Sequence, residues 1–143
     1  MNPHLFVYGS LLSTAGHAMG RRLAREARLL GEASLSGRLY RVGAYPGLVA
    51  ARGRARVHGE VYALIDPIQA FAWLDAYEGV TAAAPGQAAY ARKERMVRLA
   101  SGAEIRCWVY LYCRDVSALP TVPGGRWRAA MRPCKPVRRR QNS

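Results

Sequence analysis

The chain has 143 residues, the length of one ordinary domain; half are hydrophobic, 22% are charged, and the formal net charge is +13. That composition excludes fibrous and low-complexity classes, and no window approaches the roughly 18 consecutive apolar residues of a membrane-spanning helix. The charge is weak support for a nucleic-acid partner, because seven basic residues and no acid lie from Arg126 to Ser143, leaving +6 for the rest, and 20 of the 22 basic residues are arginine.

Residues 1–4 enter a strand-like run without a basic segment leading into an apolar one, so no signal peptide is expected and a cytoplasmic protein is the default. Residues 5–8 read as a short apolar strand stopped by Gly9 and Ser10. A helix follows, capped by Ser13 or Thr14, with a partly apolar face over Ala15, Ala18, Met19, Arg22, Leu23 and Ala27 and weakened by Gly16 and Gly20. Strand-like pieces at 27–30 and 33–40 are punctuated by Gly31 and Gly37. Gly43-Ala44-Tyr45-Pro46-Gly47 reads as a turn.

Residues 57–64 alternate as a strand, with Val57, Gly59, Val61 and Ala63 on one face and His58, Glu60, Tyr62 and Leu64 on the other. Asp66-Pro67 starts a helix, Asp66 as N-cap and Pro67 at the first helical position, and Gly79 ends it. Ile68, Phe71, Ala72 and Asp75 share one side, with Leu74 and Tyr77 adjoining. Residues 82–87 read as a surface loop. Strands at 90–99 and 104–112 are joined by the hairpin signal Ala100-Ser101-Gly102-Ala103. After Asp115 the prolines and glycines predict irregular, partly mobile chain, and the last eight residues are expected to be disordered. The whole predicts an α+β fold: a small mixed, mostly antiparallel β-barrel with two flanking helices over residues 1–127, then a basic, flexible tail at 128–143.

Cys107, Cys113 and Cys134 form no disulfide framework. Six residues of strand separate the first two by roughly 20 Å, too far for a bridge, so reduced structural thiols are expected. His4, His17 and His58 are scattered, and no metal site is expected.

Two segments carry chemistry. Val7-Tyr8-Gly9-Ser10-Leu11 runs a strand into a glycine turn whose N–H groups form an anion nest. Leu74-Asp75-Ala76-Tyr77-Glu78-Gly79 puts a carboxylate at the end of an apolar helix. These segments, with Gly37-Arg38-Leu39-Tyr40, Tyr45-Pro46-Gly47-Leu48-Val49, Val57-His58-Gly59-Glu60-Val61-Tyr62, Tyr90-Ala91-Arg92 and Trp108-Val109-Tyr110, resemble the γ-glutamylcyclotransferase-like proteins, in the branch similar to γ-glutamylamine cyclotransferase. The likeness covers roughly residues 4–127. It implies a small barrel whose cavity is lined by the residue 8–11 turn and Glu78, and release of a γ-glutamyl group as 5-oxoproline with its amine set free. The family's usual Ser-Gly-Asp-Trp is here Gly124-Gly125-Arg126-Trp127, so no role of that aspartate carries over.

The substrate of such a reaction brings its own nucleophile. Its α-amine is placed to close a five-membered ring on the γ-carbonyl, so one carboxylate acting first as base and then as acid suffices. Glu78 is the candidate, its pKa expected to rise by burial; Glu60 is the rival, read as half of a buried structural pair with an arginine. Tyr8, Gly9, Ser10 and Leu11 are candidates to bind the substrate α-carboxylate or the tetrahedral oxyanion. Tyr90 and Tyr110 are candidates to aim phenols into the cavity, with Tyr45 and Pro46 at its rim. Ser10 as a nucleophile is disfavoured for want of an activating histidine–acid pair. No cofactor is expected, and the partner is a small γ-glutamyl compound. The competing readings are a catalytically silent small-molecule-binding barrel and a nucleic-acid module using the basic tail. The sequence does not specify the amine portion or the oligomeric state.

Overall fold

The structure is a computed structural model that describes residues 1–80 and 88–127. Its strands are β1 (His4–Val7), β2 (Ala27–Val42), β3 (Tyr45–Ala50), β4 (Arg56–Leu64), β5 (Tyr90–Leu99) and β6 (Glu104–Tyr112), and its helices α1 (Ala18–Glu26) and α2 (Pro67–Tyr77). The sheet order is β3-β2-β4-β1-β6-β5, and a further β2–β5 pairing closes five strands into a barrel with β3 as an added edge. All pairings are antiparallel except β1–β6, where Leu5 lies opposite Trp108. The expected α+β barrel with two helices is therefore the fold observed.

Alternation along the strands divides the core in two. Phe6, Leu35, Leu39, Val57, Val61, Val97 and Val109 pack together in one cluster. Their neighbours in the chain, Leu5, Val7, Tyr62, Leu64 and Tyr110, join Leu23, Ala70, Phe71 and Leu74 of the helices in the other. α2 turns Ala70, Phe71 and Leu74 inward, whereas Ile68 and Ala72, placed on one side with Phe71 by helical spacing, are exposed, Ile68 by 76%.

Other local expectations are corrected. α1 begins at Ala18, capped by His17, whose Nδ1 accepts from Met19 N–H at 3.0 Å. Ser13 and Thr14 lie in the preceding loop, and Gly16, at φ 69°, is outside the helix. The two pieces at 27–30 and 33–40 are one strand. Its register shifts between Leu29 and Gly31, so Gly31 marks a bulge rather than an end. Gly37 is a close approach: a Cβ there would stand 2.6 Å from Val49 O on β3. The turn is only Gly43-Ala44, and Tyr45 already pairs with Val42.

From Val116 to Trp127 the chain is largely irregular, as expected, but is packed against the barrel. Val122 is buried, its N–H donating to Leu39 O at 2.7 Å, and Arg41 N–H donates to Pro120 O at 2.9 Å. Cys107 and Cys113 are free thiols. The 82–87 loop, Cys134 and the 128–143 tail lie outside the described residues.

Candidate active site

The turn after β1 is shaped by what presses on it. Tyr8 is buried and its O–H donates to Tyr110 O at 2.5 Å. A Cβ on Gly9 would come within 2.6 Å of Pro46 Cγ, so only glycine admits β3 this close. Leu12 N–H donates to Gly9 O at 3.0 Å and closes the turn. Ser10 Oγ and Tyr77 Oη are hydrogen-bonded at 2.6 Å, tying the turn to the end of α2. A Cβ on Gly20 of α1 would meet the carbonyl oxygens of Ser10 and Leu11 at 3.3 Å, so these carbonyls face α1. In a trans peptide the N–H opposes the C=O, so Leu11 N–H turns away from α1. Among the described residues the backbone N–H groups of Gly9, Ser10 and Leu11 have no protein acceptor.

Glu60 is not part of this site. Ser13 N–H and Ser13 Oγ–H donate to its two carboxylate oxygens at 2.8 and 2.6 Å, fastening the loop after the turn to β4. The arginine partner expected for it is replaced by this serine.

α2 ends in a Schellman motif that fixes Glu78. Glu78 N–H donates to Leu74 O, Gly79 N–H to Ala76 O and Val80 N–H to Asp75 O, with Gly79 at φ 78°. Three residues earlier, Asp75 is held by Arg92 through two bonds of 2.9 and 3.1 Å, and Tyr110 O–H donates to the same carboxylate at 2.6 Å. Arg92 lies over Phe71 and Trp108, at 4.0 and 4.6 Å from the ring centroids. Asp75 is thus an ion-paired carboxylate fixed by its partners. Glu78 makes no side-chain hydrogen bond or ion pair among the described residues. Burial, and then the charge of Asp75, raise its pKa to about 7. Its position at the negative end of the α2 dipole acts in the same direction.

A cavity of about 300 Å³ joins these parts. Tyr8, Gly9, Ser10, Leu11, Glu78, Tyr90 and Tyr110, all named from the sequence, line it together, as do Tyr45 and Pro46. Tyr90 O–H donates to Pro46 O at 2.8 Å. Burial pushes the phenols of Tyr8, Tyr77, Tyr90 and Tyr110 above the ordinary tyrosine value, and the Glu78 charge pushes all four in the same direction. Among the described residues no three His, Cys, Asp or Glu side chains are grouped to hold a metal ion.

A family model for gamma-glutamyl cyclotransferase, AIG2-like proteins matches residues 5–129. The chain belongs to this family. Among solved structures, YtfP from Escherichia coli is 35% identical, with a TM-score of 0.60, and the match covers 87% of this chain and 95% of that one. An AIG2-like protein from Mus musculus is 24% identical, TM-score 0.63, over 88% of this chain and 94% of its own. YkqA from Bacillus subtilis is 22% identical, TM-score 0.65, over 89% of this chain but only 40% of its own length. No curated protein matches the sequence.

In this gamma-glutamyl cyclotransferase-like chain, sequence reasoning did not assign to the site five residues that line the cavity, Phe6, Val7, His17, Val42 and Tyr77. His17 and Val42 line the wall, and Tyr77 both lines it and holds Ser10. The Asp75–Arg92 pair stands behind Glu78. Tyr77 and Asp75 were within reach, since both sit in the same last helical turn as Glu78. His17 and Val42 carry no local signal.

Proposed function

We propose that the protein is a γ-glutamyl cyclotransferase that converts a γ-glutamyl amine to 5-oxoproline and the free amine, with Glu78 as its acid/base and without a cofactor. The observation that carries this reading is the meeting, in one cavity, of an unpaired carboxylate and a turn whose N–H groups lack protein acceptors. Glu78 takes a proton from the substrate's α-ammonium. The freed amine attacks the γ-carbonyl carbon, and the carbonyl oxygen takes up negative charge. The bond from that carbon to the leaving nitrogen then breaks as Glu78 returns the proton to it. The ring nitrogen sheds its second proton, which the released amine takes up as it becomes an ammonium, so that two protons in all pass from the α-nitrogen to the leaving nitrogen and no water is consumed.

A pKa of about 7 suits a group that must both accept and donate near neutrality. The residue 8–11 turn supplies donors to an anionic substrate oxygen, either the α-carboxylate or the forming oxyanion. Tyr90 and Tyr110 bound the space around the reacting carbonyl. The family membership supports the reaction class, and the residue roles rest on the geometry.

The test is 5-oxoproline release from a panel of γ-glutamyl amines by the purified protein and its Glu78→Gln variant. The wild type is expected to turn over at least one member. The variant is expected to lose on the order of 10³-fold or more in kcat while keeping its fold. A variant with near-wild-type rates rejects the assignment of Glu78.

A further inference from the structure

A second cleft, of about 470 Å³, shares no lining residue with the cavity at Glu78. It lies where the residue 121–125 segment crosses β2 and β4. Arg38, Arg54, Arg56 and His58 line it, with Gly37, Gly124 and Gly125 among its small residues. A Cβ on Gly125 would come within 2.0 Å of Arg56 O, so the segment is pressed onto the start of β4. No aspartate or glutamate lines the cleft.

The Arg56 guanidinium is aimed rather than loose. Its Nε donates to Ser34 Oγ at 2.7 Å, Nη1 to Ser36 Oγ at 3.0 Å and Nη2 to Ser34 O at 2.9 Å. Three of its five N–H donors are used, none on a carboxylate. Arg126 adds a fourth cation next to Gly125. Burial, then the charges of Arg126 and Arg56, lower the pKa of His58, and Glu32 opposes them as the least of the four influences. The ion pairs among the described residues join Arg22 to Glu26, Arg92 to Asp75 and Arg98 to Glu104, and involve none of these four arginines. Like charges gathered in a concave space whose lining holds no carboxylate focus a positive potential there.

We propose that this cleft is a binding site for a compact polyanion bearing two or more phosphate or carboxylate groups. Guanidinium forks match such oxyanions in geometry, and three or four of them call for more than one negative charge. No Phe, Tyr or Trp lines the cleft to stack a base, and the site is concave rather than a strip, which favours a small molecule over nucleic acid.

The test is isothermal titration calorimetry of the full chain at pH 7.5 in 150 mM salt, with inorganic pyrophosphate and with citrate as probes, which separate a phosphate from a carboxylate ligand. Saturable 1:1 binding of at least one probe is expected. The exposed pair Arg54→Gln/Arg126→Gln should weaken it at least tenfold. The exposed pair Arg25→Gln/Arg28→Gln, equal in charge change but away from the cleft, should leave it within twofold. Absence of saturable binding by either probe overturns the proposal, as does equal weakening by both pairs. So does binding confined to single-stranded RNA with affinity that grows with its length.

Discussion

Two carboxylates three residues apart on α2 have opposite fates because of what surrounds them. Asp75 is clamped by Arg92 and Tyr110, whereas Glu78 faces the cavity unpaired. Asp75 is then a like charge that helps hold Glu78 protonated near neutrality. Asp75→Asn should shift the acid limb of kcat/KM from about 7 to lower pH, because it removes that like charge. A purely structural role for Asp75 would lower the rate at all pH values without moving the limb. The same change leaves Arg92 without its carboxylate and should destabilise the fold by about 3 kcal/mol. The Glu78 pKa also couples to stability. With a folded value of about 7 against an ordinary 4.5, its contribution is complete below pH 4.5 and is lost as pH rises through 7. Glu78→Gln should therefore be more stable than wild type above pH 8 by about 1–3 kcal/mol, and equal to it at pH 4.5. Denaturant melts across that range check the sign.

At the level of elements, the site depends on where two segments stop. Gly9 lets Pro46 of β3 close over the turn, and Gly79 at φ 78° ends α2 so that Glu78 faces the cavity. Gly79→Ala should cost about 1–2 kcal/mol through left-handed strain and lower kcat about tenfold by displacing Glu78; thermal melts and turnover read the two separately. α2 was legible because Asp66-Pro67 and Gly79 are clear start and stop signals, β4 because it alternates, and β5 and β6 because Ala100-Ser101-Gly102-Ala103 marks the hairpin between them. β3 was not legible. Pro46 and Gly47 imitate a turn, but β3 pairs only with β2, and an edge strand tolerates proline. Gly31 and Gly37 imitate breaks in β2, although one makes a bulge and the other admits a neighbouring strand. Ser13 imitates a helix cap, but its donors go to Glu60 on β4. The seven site residues named from the sequence, which line one cavity, were legible because each lies in a segment that carries the family resemblance. The Asp75–Arg92 clamp was invisible because it joins a helix to a strand with no periodic signal between them.

Over the whole molecule, β2 is the spine. It pairs with β3, β4 and β5, and the last of these pairings, Ala33–Leu99 and Ser34–Arg98, closes the barrel. The residue 120–125 segment completes it, with Val122 in the barrel cluster. Val122→Ala should cost about 2 kcal/mol, measurable as a shift in denaturation midpoint without change in slope. We propose that the domain ends after Trp127; a chain ending there should then keep its melting temperature and its turnover. If the 128–143 segment binds RNA or DNA, that truncation should abolish a salt-sensitive affinity. The most direct measurement of the central claim is a crystal structure of the protein with 5-oxoproline. The product should lie in the cavity of about 300 Å³, with one of its oxygens on the N–H groups of residues 9–11 and its ring nitrogen about 3 Å from the Glu78 carboxylate. Product bound elsewhere, or bound in the cavity with Glu78 out of reach of the ring nitrogen, would contradict that claim.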